Sequence, residues 1–205
     1  MFHPESRFMS AVTLMADIVI LNMFLVVACL PVVTVGAAVR AANVVVRDMI
    51  QGVGSRYWLR FLRELTSHWK PATAYWFLLV LLLGLLAYQQ FVVFQAGVSG
   101  FALTLIQALA LSGLFLIAGV TVWFYGLASS RPAPFGPLLI DATLTTLRHL
   151  PHTLGAVIVL AAGVWGVVAL PIGWAVPLTV FLLPALTIYV IRLIIAGPLG
   201  EKLDA

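Results

Sequence analysis

The chain has 205 residues, 63% of them hydrophobic and 9% charged, with a mean hydropathy of +1.13. Soluble domains carry roughly 25% charged residues, so hydrocarbon is the solvent for most of this surface, and residues 1–205 read as one membrane domain without a soluble catalytic module. The net charge of +4 and a pI near 9.6 would suit nucleic acid, but the basic residues sit in short connections between apolar runs, where the positive-inside rule puts them, so no nucleic-acid partner is expected.

Cys29 is the only cysteine, which rules out a disulfide framework or thiolate cluster within one chain. His3, His68, His149 and His152 have no carboxylate-rich neighbourhood. No metal and no cofactor are expected.

The first apolar run, 11–30, is long enough to span and stops at Pro31. With residues 1–7 ahead of it, it has the outline of a signal peptide, and Val26-Val27-Ala28-Cys29 resembles a lipobox. Asp17 interrupts the run and more membrane helix follows, so a retained helix with a buried Cys29 is the expectation. Residues 36–50 hold Arg40, Arg47 and Asp48, with Val39, Val44, Val46 and Ile50 loosely on one helical face and Gly52 and Gly54 at the end. Arginine at mid-segment makes a lipid-exposed span costly. The segment is therefore expected to pack on the bundle or lie near the cytoplasmic interface; a true span forming a hairpin with the first is the alternative.

Residues 55–70 are amphipathic. Trp58, Phe61, Leu62, Leu65 and Trp69 recur at helical spacing, Ser55 suits an N-cap and Pro71 marks the next span. Segment 36–70 is thus taken as cytoplasmic or interfacial, with Arg56, Arg60 and Arg63 as a docking surface for a partner or anionic lipid. Spans follow near 72–94, 101–127, 153–174 and 176–196, giving an all-α, polytopic transmembrane bundle of about five spans. Prolines 132, 134 and 137 precede a second amphipathic segment, 138–150. A faint repeat runs through the chain: a helix with basic residues leads into Pro71 and a hairpin, and another into Pro151 and a hairpin.

Arg40, Arg47, Arg56, Arg60, Arg63 and Lys70 put the segment after the first span in the cytoplasm; Arg131, Arg148 and Lys202 agree, while the two tight turns carry no Lys or Arg. Five spans with a cytoplasmic C-terminus leave the N-terminus outside; a returning 31–47 segment would put it inside. Polar groups within a bilayer need partners, which singles out Asp17, Asn22, Arg40, Gln89, Gln90 and Arg192. Asp17 is expected to pair with Arg40 or Arg192, or to lie at the wet interface. Gln89, Gln90, Gln95 and Gln107 serve as interhelical glue or line an outward pocket with Tyr88. Ala108/Ser112, Ala162/Gly166 and Ala169/Gly173 have the spacing of close helix contacts. No nucleophile–base–acid set, zinc motif or phosphate loop is present, so no enzyme is expected.

Leu21-Asn22, then Leu30-Pro31-Val32-Val33-Thr34-Val35-Gly36, then Ala37, Ala38, Ala41 and Ala42 resemble the YesL-like family of bacterial membrane proteins over roughly Asp17 to Ala74. Physically, Pro31, Thr34 and Gly36 read as a structural turn: Pro31 stops a helix, Thr34 caps the next, and Gly36 allows an unusual backbone angle. The competing reading is an anion site at the start of that next helix. The resemblance implies a multi-pass protein of the bacterial cytoplasmic membrane with no defined biochemical role. By association, it implies an accessory component of carbohydrate uptake, partnered by the lipid bilayer and by a carbohydrate ABC transporter subunit or a second copy of itself. A small permease moving a sugar or other solute is the alternative.

Overall fold

A computed structural model describes residues 4–54 and 56–201, leaving aside the side chains of 4–8, 10 and 11. Nine α-helices follow one another among the described residues: α1 (Pro4–Cys29), α2 (Val35–Ile50), α3 (Tyr57–Thr66), α4 (Trp69–Gln95), α5 (Gly100–Ser130), α6 (Phe135–Arg148), α7 (Leu150–Ala169), α8 (Ile172–Phe181) and α9 (Leu183–Ala196). Four are long and apolar enough to cross a membrane: α1 from Val12, then α4, α5 and α7. The pair α8 and α9 makes a fifth candidate, bent by 57°. All-helical architecture follows from the solvent, because hydrocarbon offers no partner to a backbone N–H and the chain must satisfy its own.

The first three expected spans match their helices to within a few residues. The fourth differs. Helix α7 stops at Ala169, and the turn is Leu170–Pro171 rather than the stretch around Gly173–Pro177. Pro177 lies inside α8, and the real break falls at Leu182, whose φ of −143° is not helical. Pro184, in the first turn of α9, explains it: proline has no N–H to donate back across the break.

Helix α2 is the centre of the packing. Twelve of its side chains or glycines are buried, and it meets α1, α3, α4, α5 and α9. Segment 36–70 is therefore two different things, a buried helix up to Ile50 and a half-exposed α3 after it, rather than one interfacial stretch. Small residues decide this: Ala38, Ala41 and Ala42 are 0% exposed, so neighbouring backbones approach closely around them. Gly36 is helical and needs no special backbone angle. Its role is contact, since a Cβ there would overlap the Ala72 carbonyl and stand 2.9 Å from the Trp76 Cβ. Thr34 does not cap α2 either. Its hydroxyl donates backward to the carbonyls of Ala28 (2.5 Å) and Pro31 (2.8 Å), closing the α1–α2 turn. With Gly36 pressed on α4, that helix start is a packing surface and not an open anion site.

The turn sends α2 back alongside α1. Ile18, Leu21 and Leu25 of α1 share one buried cluster with Ala38, Ala42, Val45 and Met49 of α2, so the two helices run antiparallel. Cys29, at the top of this hairpin, is half-buried rather than enclosed. Helices α4 and α5 form a long hairpin whose outer part meets little protein: their most apolar windows are 0% buried. Ala108, Ser112, Ala162, Ala169 and Gly173 are likewise exposed. The close contacts fall elsewhere, at Gly119 against Thr146 and Thr153, Gly126 against Ile195, and Gly163 against Thr187.

Candidate functional site

Charged residues gather at one end of the bundle, where the C-terminal ends of α2, α3, α5 and α9 meet. A helix C-terminus leaves carbonyls without intrahelical donors and carries partial negative charge. Three arginines answer that need. Arg40, 4% exposed, donates through Nη2 to the Glu64 carbonyl (2.6 Å), the Glu64 carboxylate (2.9 Å) and the Ser67 carbonyl at the end of α3. Arg47 donates to the Ser129 carbonyl (2.7 Å) at the end of α5. Arg192, 0% exposed, donates to the Gly126 carbonyl (3.0 Å), Ser129 Oγ (2.7 Å), Ser130 Oγ (2.8 Å) and the Glu201 carboxylate. Asp48 receives Arg47 and Arg60, both at 3.2 Å, and Arg60 also approaches Glu64 at 3.5 Å. One ionic chain thus ties α2, α3, α5 and α9 together.

Beside it lies a cleft of about 660 Å³ lined by Arg47, Asp48, Tyr57, Arg60 and, on its outer wall, Arg56 and Arg63. Arg56 and Arg63 are exposed and pair with no carboxylate among the described side chains. The expected docking trio therefore divides: Arg60 holds the fold, while Arg56 and Arg63 face outward. Burial raises the Tyr57 phenol above its ordinary pKa, and the negative charges of Asp17 and Asp48 add to the effect. Ser55, expected to cap α3, lies outside the described residues.

Asp17 meets neither arginine expected for it, because the guanidinium groups of Arg40 and Arg192 are turned to helix-end carbonyls and to Glu64 and Glu201. Asp17 is half-buried near Tyr57 instead. Gln90 receives a long bond from Gln107, 3.4 Å, across the α4–α5 hairpin, and Gln89 is exposed. A cleft of about 500 Å³ there includes Gln90 and Gln107. Asp17 lies near Tyr57, Gln90 bonds to Gln107 and Arg192 to α5 and Glu201, so these residues do not converge on one polar lining.

Asn22 has the most defined role. It is 0% exposed and addresses the α8–α9 break with both ends of its amide. Nδ2 donates to the carbonyls of Thr179 and Val180, each at 2.8 Å, and Oδ1 accepts from the Ala185 N–H at 2.7 Å. In an unbroken helix the Val180 carbonyl would take the N–H of residue 184, which is proline, and the Ala185 N–H would bond to residue 181. Asn22 stands in for the missing turn.

Residues 18–90 match the family described as Protein of unknown function, DUF624. The stretch matching DUF624 runs from Ile18 in α1 through α2 and α3 into α4, so it holds Asn22, the Pro31–Gly36 turn and the arginines of α2 and α3. No curated protein and no solved structure matches the chain. A membrane protein of undefined role is what the match and the apolar helices support together.

Sequence reasoning missed the α8–α9 break and the Arg192–Glu201 clasp. Pro177 and Pro184 signalled the first. Glu201 carried no signal, because it lies beyond the last span and reaches Arg192 only by folding back.

Proposed function

We propose that the chain is a non-enzymatic accessory protein of the bacterial cytoplasmic membrane, and that it docks an acidic segment of a partner in the cleft beside α3. The observation that carries this reading is the pair Arg56 and Arg63, exposed on the cleft wall without a carboxylate while neighbouring arginines are committed to helix ends. Guanidinium groups suit carboxylate recognition because they present several donors in a fixed plane.

The similarity of the Leu30–Gly36 turn to YesL-like proteins supports a membrane subunit of carbohydrate uptake as that partner. Charge bias supports a cytoplasmic place for the end bearing α3 and Glu201. The antiparallel pairing of α1 and α2 supports the arrangement in which 31–47 returns and the N-terminus is inside.

The test is copurification in mild detergent. The wild-type chain brings down a discrete membrane partner, and R56E/R63E loses it while remaining monodisperse. Identical partners for both proteins refute the docking reading. A small permease is the second reading, favoured by the discontinuous α8–α9 helix, since broken helices line the sites of many transporters. It predicts uptake of an oligosaccharide into proteoliposomes that weakens in D17N.

A further inference from the structure

A second cleft, of about 600 Å³, opens between the upper part of α1 and helices α4, α5, α7 and α9. Its size falls within the roughly 300–1,000 Å³ typical of small-molecule sites. Its walls are almost wholly apolar, with Leu25, Leu160, Val164 and Ile188 among them, and the α8–α9 break contributes Leu183 and Pro184. An apolar groove facing lipid calls for nothing beyond a lipid tail. Two polar groups make this one different.

Tyr125 is 4% exposed, and its hydroxyl has no hydrogen-bond partner; the indole Nε1 of Trp76 is also buried without one. Both residues line the cleft. Two threonine hydroxyls of the lining are committed. Thr121 donates to the Ile117 carbonyl at 2.7 Å and meets the Tyr75 hydroxyl at 2.9 Å, and Thr187 donates to the Leu183 carbonyl at 2.8 Å. An unpaired buried donor costs about 1–3 kcal/mol, and at this depth hydrocarbon offers no acceptor. Two donors idle in one cleft imply a visitor that brings an acceptor.

We infer that this cleft binds a single-chain amphiphile whose ester or hydroxyl oxygen accepts from Tyr125 and Trp76 while its hydrocarbon fills the groove toward α7 and α9. A charged headgroup is a poor fit, because no cationic side chain lines the site and burying an unpaired charge is costly. The inference is independent of the docking reading, since no cleft residue belongs to α3.

The experiment uses the full chain in detergent micelles with a fatty-acid methyl ester carrying a diazirine in its chain. Irradiation is followed by peptide mapping, with unlabelled methyl oleate as competitor. Saturable labelling of peptides from α5, α7 and α9 supports the site. Y125F and W76F should each weaken apparent affinity by about three- to ten-fold, the loss of one hydrogen bond. V164W, placed at the lipid-facing mouth, should abolish specific labelling without touching either donor. A diazirine alkane lacking the ester should label the cleft weakly. Labelling that does not saturate, that spreads over the lipid-facing part of α4 and α5, or that is unchanged in both Y125F and W76F overturns the proposal. If Y125F does not fold, W76F and the alkane comparison decide by themselves.

Discussion

Replacing Asn22 by leucine keeps the number and branching of the side-chain heavy atoms and removes all three bonds that bridge the α8–α9 break. Hydrogen bonds between membrane helices are worth about 0.6–1.7 kcal/mol each. Three of them give a loss of about 2–5 kcal/mol, with no recovery by water, since Asn22 is 0% exposed. For a chain of this size, each kcal/mol moves the midpoint by about 2–4 °C. N22L should therefore unfold about 4–20 °C below wild type, read by fluorescence-detected size exclusion after heating in dodecyl maltoside. N22D sharpens the test. It keeps an acceptor for the Ala185 N–H but turns a second oxygen toward the Thr179 and Val180 carbonyls, so its loss should be at least as large at neutral pH. A midpoint for N22L within about 2 °C of wild type would mean the break is held by packing alone, and the argument from Asn22 would be wrong.

Other outcomes follow from the same geometry. G36A should cost about 1–3 kcal/mol, because the new methyl meets backbone at Ala72, which cannot yield. G84A, with nothing within 4 Å, should be neutral or stabilising by up to about 1 kcal/mol; comparing the two midpoints separates contact from helix propensity. E201A leaves the buried Arg192 without its carboxylate and should cost about 3–5 kcal/mol, part of which R192M/E201A should recover in the same melt. For Tyr57, the folded state holds its proton more tightly than the unfolded state. Its contribution to stability is complete below the ordinary pKa of 10.0 and disappears as pH rises through the higher folded value. Phenolate absorbance of wild type minus Y57F should show a transition above 10.0, moving downward in D17N.

The spans were legible from the residues because their cause is local. A run of about 20 apolar side chains has only one way to satisfy its backbone in hydrocarbon, whatever its neighbours. The amphipathic stripe of α3 was legible for the same reason, and Phe61, which it marked, is 0% exposed. What each polar residue does was not legible. Asp17, Arg40 and Arg192 offered several pairings on paper, and the choice fell to Glu64 and Glu201, which reach the arginines only after α3 and the chain end fold back.

The turn residues divide the same way. Pro31 stops a helix by its own chemistry, but the need for glycine at 36 comes from Ala72 and Trp76, dozens of positions away. Sequence by itself determined which segments are long and apolar enough to cross a membrane, since transfer from water depends on each segment's own surface. Only the tertiary structure decided which helix is buried at the centre, which carbonyls the arginines cap and which buried donors are left without a partner, because a hydrogen bond depends on the meeting of two groups, and the order of residues names only one of them.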